Sequence, residues 1–366
     1  MRAQDARGLA RARHPQALRH RIRQRRQHGQ LVFLQRLWDD AAHHDLPPRD
    51  GRLCLARPAG RRTIREHLAS LARHCRALDR GSGLADYGDR NSLLEAVGTY
   101  EHEVASLNAA NVWILRENAA LLDHLGDSAA AAAQRSEAAS LVPKVQELYV
   151  AGGGYWNCRQ PDGSLVPTRH VWDFIHTLNF LHSDLPAAQI DEMVAFFRRE
   201  LMTPTWLAAL SPLDEDAGFS LRPDHQWNGS YPGWAALALG ALAKAGHDDL
   251  INEWLPGLAR TAGQGPFSQA HFVESYAPTH AGGARKAPTE WPYINDWTVL
   301  CAGGFFDTVL LDFFGLDFGY ETLTAAPRNG VLPADAVLHN VPHHGVLHRV
   351  DGNGVHSAAA LSPRSS

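Results

Sequence analysis

VASLNAANVWILRENAALLDHLGDSAAAAAQRSEAASLVPKVQELY, residues 104–149, sets the architecture expected of this chain. Val104, Leu107, Asn111, Ile114, Leu115, Leu121, Leu122 and Leu125 recur at the spacing of one helix face, which predicts a long helix ended by Gly126. Asp127 carries the short acceptor side chain that suits an N-cap, so a second, alanine-rich helix is expected to about Tyr149, broken or kinked at Pro143. Two helices joined by so short a turn make a helical hairpin.

The same pattern extends in both directions. Ile64, Leu68, Leu71 and Ala72 lie at helical spacing between about Arg62 and Leu78. Val171, Phe174, Ile175, Leu178 and Leu181 mark another helix, and Ile190, Met193, Val194, Phe197 and Leu201 the next, with Ser183 or Asp184 as its cap. Pro232 stands where a first-turn proline belongs, ahead of Leu237, Leu239 and Leu242; Asp248 to Leu258 pairs with that helix across Gly246-His247. A last helix is expected from about Asp296 through Phe314, with Gly315 ending it. Short turns on one side and long loops rich in glycine and aromatics on the other predict an all-α toroid of helical hairpins, complete or lacking its first hairpins. No motif of fixed length repeats, which argues against a plain solenoid. From about Gly319 short apolar pieces, Val331-Leu332 and Val346-Leu347, sit between Gly, Pro and Asn, as in a small β-rich appendage. The expected organisation is an atypical, poorly ordered segment over 1–60, a toroidal catalytic-type domain over 61–318, and a β-rich tail with a disordered end over 319–366. Nine of the first 30 residues are arginine, without apolar periodicity, so that segment is expected to make few core contacts.

A net charge of -4 and a pI near 6.6 argue against a nucleic-acid or anionic-membrane partner, since such surfaces demand a basic footprint. A neutral substrate fits better, and 10 Trp with 21 His suit the grip of polar, ring-shaped ligands. The four cysteines, Cys54, Cys75, Cys158 and Cys301, form no CxxC pair, so neither a zinc site nor a disulfide framework is indicated. No cofactor is expected. The richest apolar run, Val309 to Leu316, is interrupted by Asp312, and no apolar signal segment follows the first charges. A cytoplasmic protein, or a chain without its natural start, is expected.

Three segments bear chemistry. Arg222-Pro223-Asp224-His225-Gln226-Trp227-Asn228-Gly229-Ser230-Tyr231-Pro232-Gly233-Trp234 packs aromatics and short polar side chains ahead of an apolar helix. Sugar rings present apolar faces and a fringe of hydroxyls, so a site for them stacks Trp or Tyr on the faces and ranges Asn, Gln, Asp and His at the rim. The alternative is a loop whose aromatics plug the core. Gly81 to Asp89 carries Asp86, Tyr87 and Asp89 on a glycine-laden loop that suits close backbone approach to a ligand, or a solvated turn. Gly265 to Tyr276 places Glu274 among aromatics, a setting that raises a carboxyl pKa and suits acid/base work; Glu290-Trp291-Pro292-Tyr293 follows. Arg169, His170, Trp172 and Asp173 open a helix toward the same mouth, although Asp173 also complements the positive helix start. Arg222 and Asp224 either grip hydroxyls or pair with each other. His343, His344 and His348 lie on an extended tail where adjacent side chains point to opposite faces, a poor metal geometry.

Ser82-Gly83-Leu84-Ala85-Asp86-Tyr87, Gln226 to Trp234, and Glu274-Ser275-Tyr276 with Gly282-Gly283 and Glu290 together resemble the loops of the inverting six-hairpin glycosidases, the trehalases and processing α-glucosidases of glycoside hydrolase families 37 and 63. The resemblance covers roughly Gly81 to Pro327 and implies an (α/α)6 toroid that hydrolyses an α-linked glycoside with inversion. It implies Asp86 as general acid and Glu274 as base. Tyr87, Asp89, Asp173, Arg222, Asp224, Gln226, Trp227, Asn228, Tyr231, Trp234, Glu290 and Trp291 would meet a carbohydrate substrate. Ala85 and Asn228 stand where those families carry Asp. Ala85-Asp86-Tyr87-Gly88-Asp89 is also similar to the Asp-Trp-Gly-Asp loops of α-L-rhamnosidase-like toroids, which would make Asp89 the acid. A catalytically inactive sugar-binding remnant is the remaining alternative.

Overall fold

Helix α1 (Ala105–His124) and helix α2 (Ser128–Gln146) form the hairpin that the sequence announces. Ala119 and Leu122 of α1 pack with Ala130 and Ala131 of α2 beside the turn. Gly126 takes the left-handed conformation that ends α1, with φ 77°. The Asp127 side chain then accepts from the Ala130 N–H at 3.3 Å and caps α2. Pro143 does not break α2, which continues to Gln146; a proline so near the helix end removes one amide hydrogen bond that the final turn can spare.

The computed structural model describes residues 76–89, 99–218, 229–230, 232–262, 275–279, 283–286, 299–319 and 322–360, with a few helical positions between 66 and 73. These fall in one unit, Arg61–Ser366. The expected tail at 1–60 lies outside the described residues, as do residues 361–366.

After α2 the chain turns to strands. β1 (Tyr149–Val150), β2 (Tyr155–Arg159) and β3 (Leu165–Thr168) form an antiparallel sheet in that order. Trp156 and Cys158 point inward from β2 while Tyr155, Asn157 and Arg159 are half-buried, the alternation of a strand with one covered face. α3 (Val171–Leu181) is buried over most of its surface and runs through the core. α4 (Ala187–Phe196) continues as a π-helical turn, Phe197–Leu201. Neither Ser183 nor Asp184 caps α4: its N-cap is Pro186, and Asp184 instead receives Arg116 at 2.8 Å. Next come β4 (Gly229–Ser230), α5 (Pro232–Lys244), α6 (Asp248–Ala262), β5 (Ser275–Thr279), β6 (Gly283–Lys286) and α7 (Val299–Asp307), which passes into a π-helical turn, Thr308–Phe313. β7 (Leu316–Phe318) pairs with β8 (Leu323–Ala325), and β9 (Val337–His343), β10 (Val346–Asp351) and β11 (Gly354–Ala360) form a meander.

The main core joins α1 to α6. Phe174 stacks on Phe197 with centroids 4.3 Å apart, and Trp254 meets Phe197 edge-on at 5.4 Å. Each of these fully buried rings contributes about 1.5–3 kcal/mol through removal from water. Gly154 sits where a Cβ would strike the Glu192 carbonyl, so only glycine lets the β1–β2 turn lie against α4. A second cluster, Phe314, Leu316, Leu323, Val341 and Val350, holds the C-terminal strands.

The all-α toroid expected from the sequence is corrected by this architecture. Among the described residues, seven α-helices alternate with eleven short strands in four antiparallel sheets. Helical periodicity located the helices, but the segments between them were taken for loops because strands of two to seven residues leave little room for a period of two to show. No helix among the described residues is long and apolar enough to cross a membrane.

Candidate active site

The loop from Asp79 to Asp89 is built on the start of α1. The Asp79 carboxylate accepts the N–H groups of Gly81 at 2.7 Å and Gly83 at 3.0 Å, folding the loop on itself. Gly81, Gly83 and Gly88 have φ of 112°, 88° and 87°, a region that favours glycine. Buried Asn108 then clamps the loop: its Oδ1 accepts Ala85 N–H at 2.9 Å and its Nδ2 donates to Ala85 O at 3.1 Å. Tyr87 Oη donates to Asn111 Oδ1 at 3.0 Å, and Ser82 Oγ donates to Glu103 at 2.5 Å. Asn108 escapes a reading based on apolar periodicity, and Asn111 enters it only as a position on the helix face, with no role in the loop. Two asparagines one turn apart on a buried stripe were the available signal.

This scaffold fixes Asp86. Its side chain is 3% exposed, and both oxygens are engaged: Arg80 Nε lies 3.0 Å from Oδ2, while His102 Nδ1 at 3.1 Å and Gly88 N–H at 2.7 Å meet Oδ1. His102 adopts φ 63°, unusual for a residue with a side chain. Its N–H donates to Gly88 O at 2.8 Å and its carbonyl accepts Tyr87 N–H at 3.0 Å, so the loop and the strained residue hold each other. Asp89 is exposed and Tyr87 half-buried.

Asp173, in the first turn of α3, is the second carboxylate placed here. It is 1% exposed, and its Oδ1 accepts Tyr100 Oη at 2.7 Å and Ser106 N–H at 2.8 Å. Oδ2 has no partner among the described residues, and neither does Nδ1 of His176, one turn further along α3. Burial pushes the Asp173 carboxyl up to about 7 against the opposing pull of its two hydrogen bonds. Burial likewise lowers the His176 imidazole to about 3. Tyr100 is raised well above its ordinary value, first by burial and then by the charge of Asp173. The Cys158 thiol, free and buried, is raised for the same first reason.

Trp234, in the first turn of α5, packs at 5.4 Å from the Trp172 ring and 5.9 Å from the His170 ring. At 8% exposure its ring forms part of the core wall behind this region. β4 pairs with β5, setting Gly229 opposite Tyr276 and Ser230 opposite Ser275, and β5 pairs with β6. Parts of two of the sequence-flagged segments are thus joined in one sheet. Arg222, Asp224, Gln226, Trp227, Asn228, Tyr231, Glu274, Glu290 and Trp291 lie outside the described residues. Arg169, expected to open toward the site, donates from Nη1 to both Glu200 oxygens at 2.7–2.8 Å and lies over the Tyr155 ring. Among the described residues no cluster of three or more His, Cys, Asp or Glu is placed to hold a metal ion.

No protein-family model matches this chain, and no curated protein matches it. The loop resemblance to trehalases and processing glucosidases therefore finds no family-level support. Forty chains of solved structures do match in fold. One, named Sialidase, has a TM-score of 0.60 and 16% identity over 80% of this chain. The match covers 28% of that protein's own length, so this chain spans well under half of it. At that identity the likeness is one of fold.

Proposed function

We propose that this chain is a glycoside hydrolase that cleaves an O-glycosidic bond with a carboxylate pair, Asp86 on the acid side and Glu274 as base. The observation that carries the reading is the immobilised Asp86 carboxylate, held by three donors on a loop clamped to α1 by Asn108. Such investment in one buried carboxylate suits a site where a charge must keep its place during reaction. A fold neighbour whose name denotes a glycosidase, and the pairing of β4 with β5 beside the aromatic segments, are consistent with it. In this reading the substrate is an α-linked glycoside and the anomeric configuration inverts: a proton goes to the leaving oxygen as water, deprotonated by Glu274, attacks the opposite face of the ring. Trp227, Tyr231 and Trp291 stack on the sugar, with Trp234 supporting them from the core.

The test is to screen aryl α-glycosides with the full chain and follow the product anomer by NMR. Inversion is expected. Glu274→Gln should lower turnover by about 10²–10⁴ with little change in binding. Retention of configuration, or wild-type rates in Glu274→Gln, would sink the mechanism. Sugar binding without turnover would instead select the inactive-remnant reading.

A further inference from the structure

We propose that His102 is the residue that delivers the proton to the leaving oxygen, with Asp86 as the group that positions it. The inference rests on the glycosidase reading and sharpens its acid half. Both Asp86 oxygens are occupied and its side chain is 3% exposed, so a substrate oxygen has no free carboxylate atom to meet. The His102 side chain is 10% exposed, and with Nδ1 turned to Asp86 no hydrogen bond among the described residues engages Nε2. A carboxylate behind one ring nitrogen fixes the tautomer and the ring's orientation, leaving the other nitrogen to exchange protons.

The backbone gives the independent argument. A non-glycine residue at φ 63° is strained and persists only where its surroundings over-determine it. Here the bonds to Tyr87 and Gly88 hold that conformation and keep the ring under Asp86. Arg80 balances the carboxylate from the other side, and Glu103, the next residue, is taken by Ser82 and Arg159, so neither competes for the imidazole.

The step balances without a cofactor. Protonated His102 gives its Nε2 proton to the glycosidic oxygen as the bond from that oxygen to the anomeric carbon breaks, and the leaving group departs as an alcohol. Water adds its oxygen to the anomeric carbon and yields one proton to the base-side carboxylate. Neutral His102 then regains a proton from solvent as the base loses one.

The experiment uses His102→Gly in the full chain, because glycine accepts φ 63° without strain and leaves a ring-sized space. Turnover of glycosides with poor leaving groups should fall about 10²–10⁴-fold, while activated aryl glycosides lose less than about tenfold. Added imidazole should restore the rate in proportion to its concentration, a response that a purely structural histidine would not give. His102→Asn, which also tolerates the left-handed backbone, supplies the leaving-group comparison if the glycine variant does not fold. Asp86→Asn combined with His102→Gly should be little worse than His102→Gly alone. Loss without leaving-group dependence and without imidazole rescue, in a wild type that does hydrolyse glycosides, would overturn the assignment and leave the glycosidase reading standing. Absence of turnover by the wild type across the panel would remove that reading, and the role of His102 with it.

Discussion

Asp86 and Asp173 lie beside the same helix start, both more than nine-tenths buried, and the protein accommodates them by opposite means. Asp86 is met on both oxygens by a guanidinium, an imidazole and a backbone amide. Among the described residues Asp173 is met on one oxygen only, by a phenol and a backbone amide, with no cation bonded to it. Removing a carboxylate from water is costly unless charge or hydrogen bonds replace the solvent. At Asp173 two neutral donors do not replace it, and its carboxyl moves up to about 7. Burial alone therefore does not mark a working carboxylate; the partners distinguish one buried aspartate from the other.

The largest effect that probes this contrast is a stability measurement against pH. The folded Asp173 carboxyl is raised from 3.8 to about 7, so its stabilisation is full at acid pH and is lost as pH rises through that range. His176 is lowered from 6.5 to about 3, so its stabilisation is present above 6.5 and is lost as pH falls through that range. Between roughly pH 4 and 6.5 the two slopes, each about 1.4 kcal/mol per pH unit, oppose each other and nearly cancel. Asp173→Asn keeps an acceptor for Tyr100 and Ser106 but cannot titrate, so the slope of His176 stands alone and the variant loses about 3 kcal/mol relative to wild type across that interval as pH falls. His176→Gln should show the mirror image, losing stability relative to wild type as pH rises. Urea unfolding at several pH values measures both. Curves for the two variants that run parallel to wild type would show that these groups do not titrate as their burial dictates.

Asn108 makes the contrast mechanical, because the Asp86 loop depends on side-chain clamps whereas Asp173 is carried by a helix. Asn108→Ala leaves the Ala85 N–H and C=O without that partner in a buried place, at a cost of about 2–3 kcal/mol. If Asp86 works as proposed, turnover should fall further than stability explains, since the carboxylate moves with its loop. Asn111→Ala removes the bond to half-buried Tyr87 and a long one to Asn108 Oδ1 at 3.5 Å, but leaves both bonds of the Ala85 clamp in place, and should cost less. Equal losses in the two variants would show that the double clamp is not what holds the loop.

That clamp also marks the limit of what the sequence disclosed. Long helices with many core positions were legible: Leu115, Leu122, Phe174, Leu178, Leu239 and Leu242 are buried where periodicity placed them. Asp127 was legible as a cap because an N-cap is a local arrangement of one acceptor and an amide two or three residues on. Asn111 was placed on an apolar face because its spacing fitted, although its side chain serves the loop 24 residues earlier. The partners of Asp86 include both its near neighbours Arg80 and Gly88 and His102, 16 residues away. A charge near a carboxylate in sequence says little about which oxygen it will reach. β2 was missed because a five-residue strand between glycine turns offers too few alternations to outweigh its neighbours' helical pattern. Ser183 and Asp184 looked like caps on the same local logic as Asp127, but Asp184 found a stronger partner in Arg116, which no local rule foresees.

Asp127 completes the comparison as an aspartate that is only half-buried and works through the backbone alone. Its carboxylate meets Ala130 N–H at 3.3 Å, a long hydrogen bond, and also faces the positive end of α2. Asp127→Ala should lower stability by about 1 kcal/mol, toward the smaller end of the range for lost caps. Asp127→Asn keeps the acceptor and drops the charge, so the difference between the two variants separates hydrogen bonding from the interaction with the helix dipole. Salt should shrink the effect of Asp127→Asn but leave most of that of Asp127→Ala, because a screened charge weakens while a short-range acceptor does not. Thermal melts at low and high salt measure it. If asparagine proved as costly as alanine in both, the charge rather than the cap would be what α2 requires, and this half-buried aspartate would resemble Asp86 more closely than its surroundings suggest.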